Sequence, residues 1–162
     1  MRRIALLIWT MFIIAPTIFC QTKEQLDALE RTIDDAIENT LISFCSNMNQ
    51  QLPVAISKCE LLSSVFFISQ TRTMVMNYNI LKSCRISHPE KAMDRVKDRL
   101  IGDMFFNKKG LSEDAESMVE LMDLFGLKIQ MVYRNEQSTK ILGSFFINYD
   151  DIVSERQKRD LQ

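Results

Sequence analysis

The stretch LKIQMVYRNEQSTKILGSFFINY, residues 127–149, decides between two folds. Leu127, Ile129, Met131 and Tyr133 fall at every second position, as do Ile141, Gly143, Phe145, Ile147 and Tyr149. With polar residues at Asn135 to Thr139 between them, that is the pattern of a β-hairpin. From about residue 134 the same letters also fit a helix, with Ile141, Leu142, Phe145, Tyr149 and Ile152 on one side and Gly143 as an interior cost of roughly 0.5–1 kcal/mol. Periodicity alone leaves both open.

Upstream, the helical signals are plainer. Thr22 and Gln25 have capping-box spacing, and Leu26, Leu29, Ile33, Ile37, Leu41, Phe44 and Met48 follow at helical intervals. Lys23, Asp27, Arg31, Asp34 and Glu38 lie on the other positions, a solvated face or a place for a partner to dock. Pro53 can open a second helix, and residues 58–80 carry a run, Leu61 to Ile68, that a helix would present as apolar almost all round. Such a helix needs cover on every side, either at the centre of a bundle or between interleaved chains. Ser87 and Glu90 start a third helix around Met93, Val96, Leu100, Ile101, Met104 and Phe105, which Asn107-Lys108-Lys109-Gly110 stops. Ser112 caps a fourth, with Met118, Met122 and Phe125 on one face and Gly126 as its C-terminal stop.

The N-terminus reads as a secretory address. Arg2 and Arg3 precede an apolar run from Ile4 to Ile14, too short to span a bilayer. Cleavage after Cys20 makes residues 1–20 the signal peptide, residues 21–153 the domain and residues 154–162 a basic flexible tail; cleavage after Thr17 is the second option. Loss of Arg2 and Arg3 takes the net charge from −1 to −3. That balance argues against nucleic acid. The longest remaining apolar run argues against membrane insertion, so the product is expected to be secreted and extracellular.

Cleavage after Cys20 leaves an odd set, Cys45, Cys59 and Cys84. If residues 59–84 form one helix, its ends lie about 38 Å apart at 1.5 Å per residue, which forbids a bond between them. Cys45 and Cys59 are then the easier disulfide, with buried reduced thiols as the alternative.

Catalytic chemistry is sparse. The single His, His88, sits beside Pro89 at a helix start, and there is no phosphate-binding glycine loop, Gly-x-Ser-x-Gly or Cys-x-x-Cys. No enzyme activity, cofactor or metal is expected. The Met and Phe residues read as core filler or as the lining of an apolar pocket. Arg156-Gln157-Lys158-Arg159 is the one compact basic cluster, suited to an acidic partner or a glycosaminoglycan.

Taken in order, several segments resemble type II interferon, interferon gamma, in its divergent fish forms. They are the start at Cys20-Gln21, Cys59-Glu60-Leu61 before an apolar run, and Met104-Phe105-Phe106-Asn107-Lys108-Lys109. Leu124 to Gln130 follows, then Gln137 with Lys140-Ile141-Leu142 and Phe145-Phe146-Ile147, and the basic cluster at Arg156 to Arg159. The resemblance implies an all-α fold, a four-helical-cytokine-like bundle with six helices per chain interleaved in a homodimer, and residues 61–68 at its centre. It implies a secreted cytokine that clusters a cell-surface class II cytokine receptor in antiviral and macrophage-activating signalling. Receptor contacts would fall on Lys23, Asp27, Arg31 and Asp34 of the first helix and on Arg156, Lys158 and Arg159. The residues also admit a secreted monomeric helical carrier of a hydrophobic ligand, or a venom or effector protein.

Overall fold

The computed structural model describes residues 2–84, 89–107, 110–137 and 140–161, with the backbone alone at residues 2–22, 89–92 and 113–114. It divides the chain into two compact units, Met1–Thr40 and Leu41–Gln162. The first is helical throughout its described length, as the main part of α1 (Arg2–Asn49).

The second unit is mixed α/β. Its strands are β1 (Val54–Ala55), β2 (Glu60–Ile68), β3 (Thr73–Ile80), β4 (Phe106–Asn107), β5 (Gly110–Leu111), β6 (Lys128–Asn135) and β7 (Ile141–Ile147). Its helices are the end of α1, α2 (Pro89–Phe105), α3 (Glu113–Leu124) and α4 (Tyr149–Asp160). Five strands form one sheet in the order β1-β2-β3-β6-β7, antiparallel except for the parallel pair β3–β6, and β4–β5 is a separate short ribbon. The all-α bundle of six interleaved helices is therefore overturned, and residues 127–149 are the hairpin.

The hairpin wins because its alternation matches a sheet with one closed face. Leu127, Ile129, Met131 and Tyr133 are each 2% exposed or less, which a strand gives to residues two apart. The Asn135 N–H donates to the Lys140 carbonyl at 3.0 Å, and the Asn135 side chain accepts from the Gln137 N–H at 2.8 Å. That local bond is the reason asparagine favours turns. Gly143, costly inside a helix, is required here, since a Cβ on it would lie 2.6 Å from Cγ of Met93 on α2. The missing side chain lets α2 settle on β7.

Residues 58–80 are also strand rather than helix. Val65, Phe66, Phe67, Ile68, Thr73, Val75 and Tyr78 are strand formers. Their period of two is hidden because β3 is central: Met74 and Tyr78 are buried on one face, Thr73, Val75 and Asn77 on the other. A bulge between Leu62 and Ser64 further shifts the register of β2. Arg72, with φ 48°, turns the chain between the two strands. Its guanidinium donates to the Phe125 carbonyl at 2.7 Å and lies over the Phe125 ring at 4.3 Å, tying this turn to the end of α3.

Folding residues 60–80 back on themselves also corrects the disulfide. Cys59 and Cys84, set far apart by a helix, come within 5.6 Å between Cα atoms and are bonded. The expected Cys45–Cys59 bond is absent, and Cys45 is a buried free thiol. Pro53 follows a cis peptide before β1 rather than opening a helix. Near Cys45, Asn49 acts as a short surrogate strand: its Oδ1 accepts from the Val65 N–H at 2.9 Å and its Nδ2 donates to the Val65 carbonyl. It thereby satisfies part of the β2 edge that the two-residue β1 leaves unpaired.

One substitution separates hairpin from helix by sign. In a helix interior, Gly143→Ala would stabilise by up to about 1 kcal/mol. In the hairpin it must displace Met93, and we expect a loss of about 1–3 kcal/mol in urea unfolding.

Candidate functional site

The first unit presents the anticipated docking helix in unusual form. Lys23, Asp27 and Arg31 are exposed and Asp34 half-buried. They are joined on the same helix by Glu30 and Glu38, so that Asp27, Glu30, Asp34 and Glu38 run in a line at i, i+3 and i+4 spacing. The apolar positions read as core are open: Leu26 is 58%, Leu29 57% and Ile33 50% exposed. The Thr32 and Thr40 hydroxyls donate to the carbonyls four residues earlier, Ala28 and Ala36.

The C-terminal cluster is built differently. Residues 149–160 are α4, whose start carries a complete capping box: Asn148 accepts from the Asp151 N–H at 3.1 Å, and Asp151 accepts from the Asn148 N–H at 3.0 Å. The Lys97–Asp151 ion pair at 2.7 Å and buried Ile152 fix α4 against its neighbours. Arg156, Lys158 and Arg159 are therefore helical residues. Arg159 is engaged within the fold, bonded to Glu155 at 2.9 Å and lying over the Phe106 ring at 4.8 Å. It also lies so close to Gly102 that a Cβ there would meet its guanidinium at 2.8 Å. Arg156 and Arg159 border a cleft of about 270 Å³ that Glu116 and Asp160 share, so its charge is mixed. Sequence spacing brought the cations together and sets Glu155 four residues before Arg159, but gave no sign of Phe106 or Gly102.

A larger cleft, about 400 Å³, opens at the carboxyl ends of the parallel strands β3 and β6, between Ile80, Leu81, Cys84, Asn135 and Gln137. Open α/β sheets bind ligands at such ends. Among the described residues Lys82 is its one ionisable lining residue, and its backbone N–H donates to Glu136 Oε2 at 3.2 Å.

Among the described residues, no group with a shifted pKa lines either cleft. The shifted groups all lie in the core and are held in their neutral forms. Burial, then the Glu60 carboxylate, pushes the Tyr78 phenol up to about 12. Tyr133 is raised by burial, then by Glu60 and Tyr78, with Arg99 opposing. Burial raises the Cys45 thiol, which disfavours the nucleophilic thiolate. Among the described residues no group of three or more His, Cys, Asp or Glu could hold a metal ion. His88 lies outside them.

No family model and no curated protein sequence matches the chain. Among solved structures it is similar to a Pseudomonas aeruginosa protein described as secreted, with a TM-score of 0.54, 11% identity and coverage of 74% of this chain and 95% of that one. It is likewise similar to EpsS, the pilotin of the Vibrio vulnificus type 2 secretion system, with a TM-score of 0.54, 8% identity and coverage of 74% and 94%. At these identities the likeness is one of fold, and the fold is mixed α/β. The resemblance to interferon gamma is overturned, and with it the receptor-clustering cytokine. The supposed last-helix signature, Lys140 to Ile147, belongs to β7 and the residue before it, and Cys59-Glu60-Leu61 leads into β2. The helical carrier falls with the all-α fold. Met74, Met93, Met122, Met131, Phe105 and Phe125, candidates for its pocket, are buried core.

The core phenols set an alkaline limit. A tyrosine whose folded pKa lies above its unfolded value of about 10 keeps its proton when the unfolded chain has lost it, so stability falls as pH rises above about 10. We expect urea midpoints to drop from pH 10 to 12, and Tyr78→Phe to reduce the drop. An unchanged pH dependence in that variant would contradict the assignment.

Proposed function

We propose that this is an extracytoplasmic interaction module: a disulfide-linked α/β unit carrying an amphipathic helix through which it docks to a partner, without catalysis of its own. The observation that carries the reading is the stripe Leu26, Leu29 and Ile33, at least half exposed on a helix that has no core of its own. Fully covering such a side chain is worth about 1.5–3 kcal/mol, and contiguous exposed apolar patches mark interaction sites.

Export is supported by Arg2 and Arg3 before the apolar run to Ile14 and by the Cys59–Cys84 bond, which persists in oxidising compartments. Among the described residues no helix is long and apolar enough to cross a membrane. The two similar structures, a secreted protein and a secretion-system pilotin, point the same way. The phenols and thiol held neutral in the core favour binding over reaction.

A dye for exposed apolar surface, bis-ANS, tests this on residues 21–162. Its fluorescence is expected to fall by more than half in the double variant Leu29→Glu/Ile33→Glu, with the circular dichroism of the sheet unchanged. Equal fluorescence would mean that the stripe is already covered by the chain itself, and the docking reading would be lost.

A further inference from the structure

We propose that the partner seated on this stripe is a basic amphipathic helix of another protein, selected by the carboxylates Asp27, Glu30 and Glu38. The proposal rests on the docking reading and adds the chemistry of the occupant.

Two features of residues 23–40 carry it. The first is charge: Lys23 and Arg31 stand against Glu24, Asp27, Glu30, Asp34, Asp35 and Glu38, a net −4 in eighteen residues. The second is its asymmetry about the stripe. Helical geometry sets Asp27, Glu30, Asp34 and Glu38, with Lys23 among them, along one border of Leu26, Ile33 and Ile37, while Gln25, Leu29, Ala36 and Thr40 along the other are uncharged. Cations of a partner lying beside Glu30 and Glu38 would pair with them as the apolar faces close.

Other occupants gain less. An anionic membrane or a nucleic acid would be repelled by the net charge. A second copy in antiparallel register would set one acidic border against the other; in parallel register it would set the acidic border against an uncharged one, forming no ion pairs. A helix with leucines at i, i+3, i+4 and i+7 and one border of Lys or Arg satisfies stripe and line together, the helix-in-groove mode of recognition. Over eighteen residues the contact would be about 27 Å long.

The test uses three labelled eighteen-residue peptides against residues 21–162, read by fluorescence anisotropy. One has a leucine stripe with a lysine border, one the same stripe with a glutamate border, and one the lysine border with serine in place of leucine. At low salt the lysine peptide is expected to bind at least about tenfold more tightly than the glutamate peptide, as several weak exposed pairs together allow. The margin should shrink in about 0.5 M salt as screening shortens the reach of the charges. The variant Asp27→Lys/Glu30→Lys/Glu38→Lys, checked for helicity, should invert the preference.

Equal binding of the two leucine peptides, or binding of the serine peptide as tight as that of the lysine peptide, would overturn the proposal. So would failure of every peptide to bind while Leu29→Glu/Ile33→Glu still removes the dye signal, in which case the docking face stands and its basic occupant does not. A dimer at micromolar concentration that Ile33→Glu dissociates would also overturn it, by making the occupant a second copy. If the dye signal is itself unaffected, both readings fall together.

Discussion

The parallel pairing of β3 with β6 is the constraint on which the α/β unit depends. It joins the β1-β2-β3 ribbon to the β6–β7 hairpin, making one five-stranded sheet of the two. Eight residue pairs run from Thr73 with Lys128 to Ile80 with Asn135. They place Tyr78 over Tyr133, ring centroids 5.1 Å apart and nearly parallel, with Phe145 beside Tyr133 at 6.1 Å. Parallel strands need a long crossover, and the chain spends residues 81–127 on it, with α2 and α3. At one end of the pair Arg72 fastens the β2–β3 turn to Phe125. Near the other, the Cys59–Cys84 bond holds the start of β2 to the chain leaving β3.

That dependence explains what could be read beforehand. Helices within 22–48, 87–105 and 112–125 were legible because each keeps one wet face, so its 3.6-residue period survives in the letters. The strands were not, and for opposite reasons. β3 is buried on both faces, so a two-residue period vanishes and Leu61 to Ile68 next to it passes for an all-round apolar helix. β6 and β7 do alternate, yet in letters that a helix also accepts, and the contact that settles the matter, Gly143 against Met93, joins residues fifty apart. The disulfide followed the same error, since its pairing is decided by whether residues 60–80 turn back.

Of the residues taken for a binding site, the two groups separate. Asp27 and Asp34 fall on a continuous acidic line with Glu30 and Glu38, a pattern present in the sequence but masked by reading Leu26, Leu29 and Ile33 as core. Arg159 is held by Glu155 and Phe106 in the body of the fold, and nothing local in the sequence announces Phe106 as its neighbour. The α/β unit closes around its own sheet, whereas Leu26, Leu29 and Ile33 of the helix stand at least half exposed.

Amide hydrogen exchange along residues 21–162, without any partner, tests that contrast most directly. Amides of β3 and β6 should share the slowest exchange, as parts of one cooperative sheet, while those of residues 23–40 should exchange orders of magnitude faster, as in a helix whose Leu26, Leu29 and Ile33 are at least half exposed. Protection of residues 23–40 equal to that of residues 41–49, or β3 exchanging independently of β6, would contradict it.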